Sequence, residues 1–490
     1  MAIRAFQIIP KKWRGIRNSE AALLLDSDEW SDSKNFDARM GWSSAGSTLV
    51  QTTPVANKAL LGVHHYFDKT GVLHPVVINE DGTIFDDNVA IGPKFSPAAI
   101  SLTDPNGAIP DFTPGIGGIV IARGTTLAPL QKRPSDDTWV ELVGATPKFI
   151  GVSIERAGPR LFGFPNNLTE LDTMAWSAAA DFTLWLTADG GGTEPVGSDR
   201  EPITGIEGGL EDAMAVYKRN HIYVRNGTDP ETWKITLVAS DIGLTAPATL
   251  IRIGKSHFFV HESGPYFLNA VGAVVFPHLA ERAQKTWDEM IANFGPWLRF
   301  AHAAYHPREN TIYCWLPNQA SRLMNRLMKI YVPTLSVTLH DGKTAGCSTF
   351  EPAAAGRLLY GGSASKTFET KGLTDDGTAI TSNLTPGIFA GSPPTPDMEK
   401  KWGFRGVVHV YFEAEGAVPI TLTPRVYRDD AQVVGSAQNF TLVANRVTKV
   451  KMKMPTAQGW GFDFVLTATT SLGRWRLLGY SGIYEDITDA

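Results

Sequence analysis

The sequence predicts an all-β protein, a β-propeller-like domain followed by a C-terminal β-sandwich, with few short helices. Three observations carry this. Short apolar stretches recur along most of the 490 residues, with Gly, Asn, Asp or Pro breaking them about every eight to twelve positions, the spacing of antiparallel meanders. The 47 Gly and 31 Pro exceed the roughly 12% of average usage, which fits many turns. Beyond residue 400, apolar and polar residues alternate strictly, and VTKVKMKM (Val447–Met454) is a period-2 strand with a face of lysines.

Residues 1–45 read as an N-terminal arm and a short helix. The first residues, MAIRAFQIIPKKWRGIR, hold Arg4, Lys11, Lys12, Arg14 and Arg17 and no acid, while Pro10 and Trp13 interrupt any helix. They form a candidate docking arm, with Trp13 as its aromatic. SEAALLLDSDEW (Ser19–Trp30) has a Ser19 cap and Glu20 in the first turn of a short helix.

Residues 46–395 read as the propeller-like domain. Strands are expected through Leu61–Asp87 with turns at Asp68–Gly71 and Asn79–Gly82, then through Gly115–Gln131, Pro147–Asn167 and Glu211–Val238. The segments VYKRNHIYVRNG, RIGKSHFFVHESGPYFL and GRLLYGGSASKTFE share one layout of strand, Gly or Asn turn, and strand. This is a degenerate repeat of about 30–60 residues, and radially arranged meanders use such units without leaving long exposed edges. The number of blades stays open. Within the domain, LAERAQKTWDEMIANF (Leu279–Phe294) has helical spacing, with an apolar stripe of Leu279, Ala283, Trp287, Met290, Ile291 and Phe294. A plain blade has no use for this helix. Its stripe packs either on the chain's own core or, through Trp287, Met290 and Phe294, on a neighbouring subunit. TPGIFAGSPPT (Thr385–Thr395) reads as a linker, and residues 396–490 as the sandwich.

A net charge of −5 argues against a protein whose affinity rests on a wide basic surface. Two cysteines are too few for a disulfide framework, and Cys314 in TIYCWL reads as a reduced, buried thiol. Neither a secretory signal nor a membrane-spanning run is expected. The pairs His257/His261 and His302/His306 stand four apart, but on strands, where that spacing only shares a face, so no zinc site is expected. No nucleotide-binding loop or nucleophile elbow is present. NEDGTIF and TDDGTAI resemble the Asp-box turns of sialidase-type propellers, yet lack the terminal tryptophan, and turn chemistry alone accounts for them. No catalytic, cofactor or metal residues are expected. A glycosidase would need paired carboxylates facing one pocket, accompanied by an arginine cluster.

Taken together, the chain resembles the tail nozzle (tail hub) proteins of short-tailed bacteriophages, also called phage stabilisation proteins. The resemblance rests on RLFGFPNNLTELDTMAWSAAADFTLW (Arg160–Trp185), on SHFFVHESGPYFLNAVG followed by the amphipathic helix, on AAYHPRENTIYCWLPNQASRLMNRLMKIYVPTLSVTLHDG, and on the sandwich after Lys400. It implies a structural virion protein of the tail, assembled in the host cytoplasm, without catalysis and without cofactors. It implies a homohexameric ring around a DNA exit channel, below the portal or its adaptor, that retains packaged DNA and conducts it on ejection. Its partners would be other copies of itself, the portal or adaptor, tail fibre, tailspike or needle proteins, and DNA in passage, with no membrane insertion. The modest acidity agrees, since a conduit that gripped phosphate would hold the duplex. The alternative is a propeller-fold glycan-binding adhesin or glycosidase of a tail.

Overall fold

The computed structural model describes most of residues 58–389 and 401–487, together with six short strands between Ala2 and Thr52. The longest runs outside the described residues are 9–14, 17–28, 53–57, 96–101, 104–108, 165–169 and 390–400.

Six four-stranded antiparallel sheets, and a seventh embedded in a twelve-stranded sheet, make seven blades. Their first strands are Leu60–Phe67, Asp111–Pro114, Phe149–Glu155, Ile203–Leu210, Ile251–Ile253, His302–His306 and Cys347–Glu351. Each first strand lies beside the next, and that of blade seven returns to that of blade one, so the ring closes. Thr48–Thr52 supplies the outermost strand of blade seven, with Phe368 opposite Leu49, and the Leu60 N–H donates to the Gly362 carbonyl at 3.1 Å. The fold is an all-β propeller.

Strand alternation explains how the blades cohere. In blade four, Ala213–Lys218 is buried throughout. Met214 and Val216 pack with Phe162, Phe164 and Trp176 of blade three, while Ala213, Ala215 and Tyr217 pack with Phe259, Tyr266 and Leu268 of blade five. Successive side chains of a strand point to opposite faces, so a strand between two blades must be apolar on both. The same division recurs between blades one and two and between blades two and three.

The helix Leu279–Phe294 has a non-helical backbone at Ala283 and lies against Gly264–Leu268 of blade five and Ser336–Ala345 of blade six. Blade five begins with a strand of three residues and ends with one of two. Trp287 is 4% and Met290 3% exposed, both in the core cluster with Phe258, Val260 and Leu327. The indole of Trp287 also donates to the Glu262 carbonyl at 2.7 Å. Of the two alternatives for the stripe, the chain's own core takes the side chains of Trp287 and Met290. Phe294 is half-buried.

The sandwich packs Val407–Ala414, Arg446–Lys453 and Trp475–Ile487 over Pro419–Tyr427, Gly461–Thr470 and Thr378–Pro386. Val408, Val410, Phe412, Phe462, Phe464, Leu466 and Trp475 fill the space between the sheets. Val407–Ala414 alternates half-buried and buried residues along its length, the predicted period of two. Lys449, Lys451 and Lys453 are exposed on Arg446–Lys453, where charge protects a strand that pairs on one side. Asp463, 2% exposed, accepts two bonds from Arg425 at 2.6 and 2.5 Å and one from the Tyr427 hydroxyl at 2.9 Å.

The described parts of the N-terminal segment lie in sheets. Ala2–Ile8 pairs antiparallel with Trp475–Ile487, Arg4 opposite Tyr484, so the Arg4 backbone lies inside a sheet. Glu29–Lys34 is a strand, where the sequence suggested the end of a helix. It runs parallel to Ser336–Ala345 of blade six and antiparallel to Thr378–Pro386 of the sandwich, and this pairing overrides local helix preference. Gly15–Ile16 runs beside both Glu29–Lys34 and blade six. Lys11, Lys12, Trp13, Arg14, Arg17 and residues 19–28 of the expected helix lie outside the described residues. Of the expected linker, residues 387 and 390–395 lie outside the described residues. Thr385 and Pro386 end a sandwich strand, and Phe389, 8% exposed, bridges to Phe462. Propeller and sandwich thus share one continuous sheet instead of meeting at a hinge.

Candidate functional site

The first strands of six blades, all but blade three, line an axial cavity of about 470 Å³. Asp111 of blade two, Glu207 of blade four, Arg252 of blade five and Arg322 all line it, among the rings of Phe112, Tyr305 and Phe350.

Asp111 opens the first strand of blade two. Its carboxylate accepts the N–H of Phe112 at 3.1 Å and, from blade three, that of Ile150 at 2.9 Å. Burial pushes this carboxyl up to about 7 against those two bonds. Phe112 stacks flat on His64 of blade one, centroids 5.5 Å apart, and comes so near blade one that a Cβ on Gly62 would meet its ring at 2.9 Å. Glycine at 62 makes room for the ring beside Asp111.

Glu207 sits at a β-bulge, where the pairing shifts register between Glu207 and Leu210. A bulge re-aims a side chain out of strand alternation. His257, fully buried, fixes this one. Its Nε2–H donates to the Gly208 carbonyl at 2.9 Å, so Nδ1 accepts from the Tyr217 hydroxyl at 2.9 Å. Burial holds His257 down at about 4, hence neutral. Glu207 is itself raised to about 7, by burial first and then by the charge of Asp111, with Arg252 opposing. Among the described residues neither carboxylate makes an ion pair. Arg252 donates to the Gly254 carbonyl at 3.0 Å, and the Arg322 guanidinium lies 4.5 Å over the Phe300 ring.

The other polar clusters are already occupied. His302 bonds Ser348 at 2.8 Å and, like His257, is buried and held near 4. His257, His261 and His302 are buried in their blades, and His306 is half-buried. His74, Asp86 and Asp87 converge, as do Asp199, Glu201 and His221. In the first group Lys132 of blade two reaches Asp86 at 3.0 Å, and in the second Lys218 bonds Asp199, so a lysine ammonium stands where a cation would. Cys314 and Cys347 are free and buried, with Cys347 pushed up to about 12.

Of the residues singled out in the sequence, Trp287 and Met290 lie in the core, and His302 of blade six lines the cavity. Asp111 and Glu207 went unremarked. The one available signal is a lone carboxylate inside an apolar strand that opens a blade.

The fold and site define a seven-bladed propeller with an axial, carboxylate-bearing cavity and an attached sandwich. No protein-family model matches the chain, and no curated protein matches it. Among solved structures it is similar to a streptogramin B lyase at 11% identity, over 66% of this chain and 97% of that one, TM-score 0.41. It is similar also to virginiamycin B lyase from Staphylococcus aureus at 10% identity, over 66% and 98%, TM-score 0.41. A third is the Dos1 propeller at 10% identity, over 68% and 83%, TM-score 0.40. The likeness concerns the fold alone.

Proposed function

We propose that this chain is a structural protein of a phage tail, a nozzle or hub that forms a hexameric ring around the DNA exit channel. The ring sits below the portal or adaptor in the virion, receives fibre, tailspike or needle proteins, retains packaged DNA and conducts it on ejection. One observation supports this most: a single twelve-stranded sheet runs from blade six through Gly15–Ile16, Glu29–Lys34 and Thr378–Pro386 into the sandwich. A wall that withstands DNA pressure needs its two parts joined without a hinge, and a shared sheet joins them. The net charge of −5 suits a conduit that must not hold phosphate. The test is assembly: negative-stain images of the protein alone and with portal–adaptor rings. Six-fold rings in either sample support the reading, and a 53.2 kDa monomer in both opposes it.

One observation favours a second reading, a tail propeller acting on glycan. Asp111 and Glu207 share a cavity with Arg252 and Arg322, the residue types a glycosidase would need. Release of reducing sugar from host glycan, abolished by Glu207→Gln, would support it.

A further inference from the structure

The axial cavity gathers two carboxylates and two guanidiniums without pairing them. Two carboxylates from different blades face the same space, and among the described residues neither has a cationic partner within ion-pair distance. The cations on the same wall are engaged: Arg252 on the Gly254 carbonyl, Arg322 on the Phe300 ring. Partly buried carboxylates without an ion-pair partner are costly, and a protein either protonates them or supplies a closer counter-charge. Both groups are also positioned. Asp111 is held by N–H groups of two blades, and Glu207 rides on a bulge locked by His257. The space suits a small molecule, since about 470 Å³ lies within the roughly 300–1,000 Å³ of ligand pockets. That is far larger than one metal ion needs, and the rings of Phe112, Tyr305 and Phe350 offer faces that attract organic cations.

We propose that the axial cavity binds a small organic amine, its ammonium held between Asp111 and Glu207 and its carbon body lying against Phe112, Tyr305 and Phe350. No covalent step is involved. Binding is an ion exchange in which the ammonium takes the place of protons that the carboxyl pair otherwise keeps near neutral pH. The charged or titratable groups lining the cavity with the pair are Arg252, Arg322, His64, His302, Tyr305 and Cys347; burial keeps both histidines neutral above about pH 4 and raises the tyrosine and the cysteine, so both stay protonated.

The test is calorimetry on the full chain with 1,4-diaminobutane and benzylamine, using 1,4-butanediol and benzyl alcohol as neutral counterparts. The amines should bind, the alcohols should not, and amine affinity should rise from pH 6 to pH 8 as the pair gives up its protons. Glu207→Gln should weaken amine binding at least tenfold while the unliganded variant melts no lower than the wild type, and Asp111→Asn should act in the same direction. Equal binding of amines and alcohols, no binding of either amine, or full affinity in Glu207→Gln would each overturn the proposal. So would a calcium or magnesium response that Glu207→Gln removes when the amines give none.

Discussion

The buried ring of His257 in blade five donates to the Gly208 carbonyl of blade four, and the residue before Gly208 is the cavity carboxylate Glu207. One neutral imidazole thus joins two blades and sets the bulge that aims Glu207. Replacing it with leucine leaves the Gly208 carbonyl and the Tyr217 hydroxyl without partners. Each such loss costs about 1–3 kcal/mol, so His257→Leu should lower stability by about 2–6 kcal/mol in urea melts.

The same ring makes the fold sensitive to acid. His64, His65, His257 and His302 are each held at about 4, mainly by burial, against an ordinary value of 6.5. The unfolded chain takes up these protons first, so stability is complete above pH 6.5 and falls as pH drops from about 6.5 towards 4. The urea midpoint should decline over that window. A midpoint that stays level from pH 7 to 4.5 would contradict the neutral buried histidines.

Glu207 works in the opposite sense. Its carboxyl is raised to about 7, so the folded protein binds its proton more tightly than the unfolded chain. Stability from this group is complete at low pH and is lost as pH rises from about 4.5 through 7. Glu207→Gln should therefore remove part of any loss between pH 5 and pH 8, read from urea midpoints of both proteins.

Trp287 separates core from interface. Its indole is buried in the chain's own core and bonded to Glu262. Trp287→Ala should cost about 3–5 kcal/mol in the isolated chain, measured by denaturant unfolding under dilute conditions. A loss seen only in assembled protein would place the side chain at a subunit contact.

Much of this architecture was legible in the sequence, for local reasons. The bounds of the helix Leu279–Phe294 follow from its apolar spacing, and the sandwich strands show in their strict alternation. The paired strands of blades four, five and seven stand out because each is apolar and turns on Gly or Asn. The blade count was not legible, because outer strands such as Val89–Ala90 and Val274–Val275 are two residues long and carry no pattern. Nor were Thr48–Thr52 and Ala2–Ile8, whose strand character comes from partners at the far end of the chain. Asp111 and Glu207 converge only because the blades close into a ring. Each alone is an ordinary acid in an apolar strand.

The measurement that tests the central claim most directly is electron microscopy of the purified chain on portal–adaptor rings. Six copies in a ring about a central channel are the predicted result. Single propellers that neither bind those rings nor form rings of their own would contradict it.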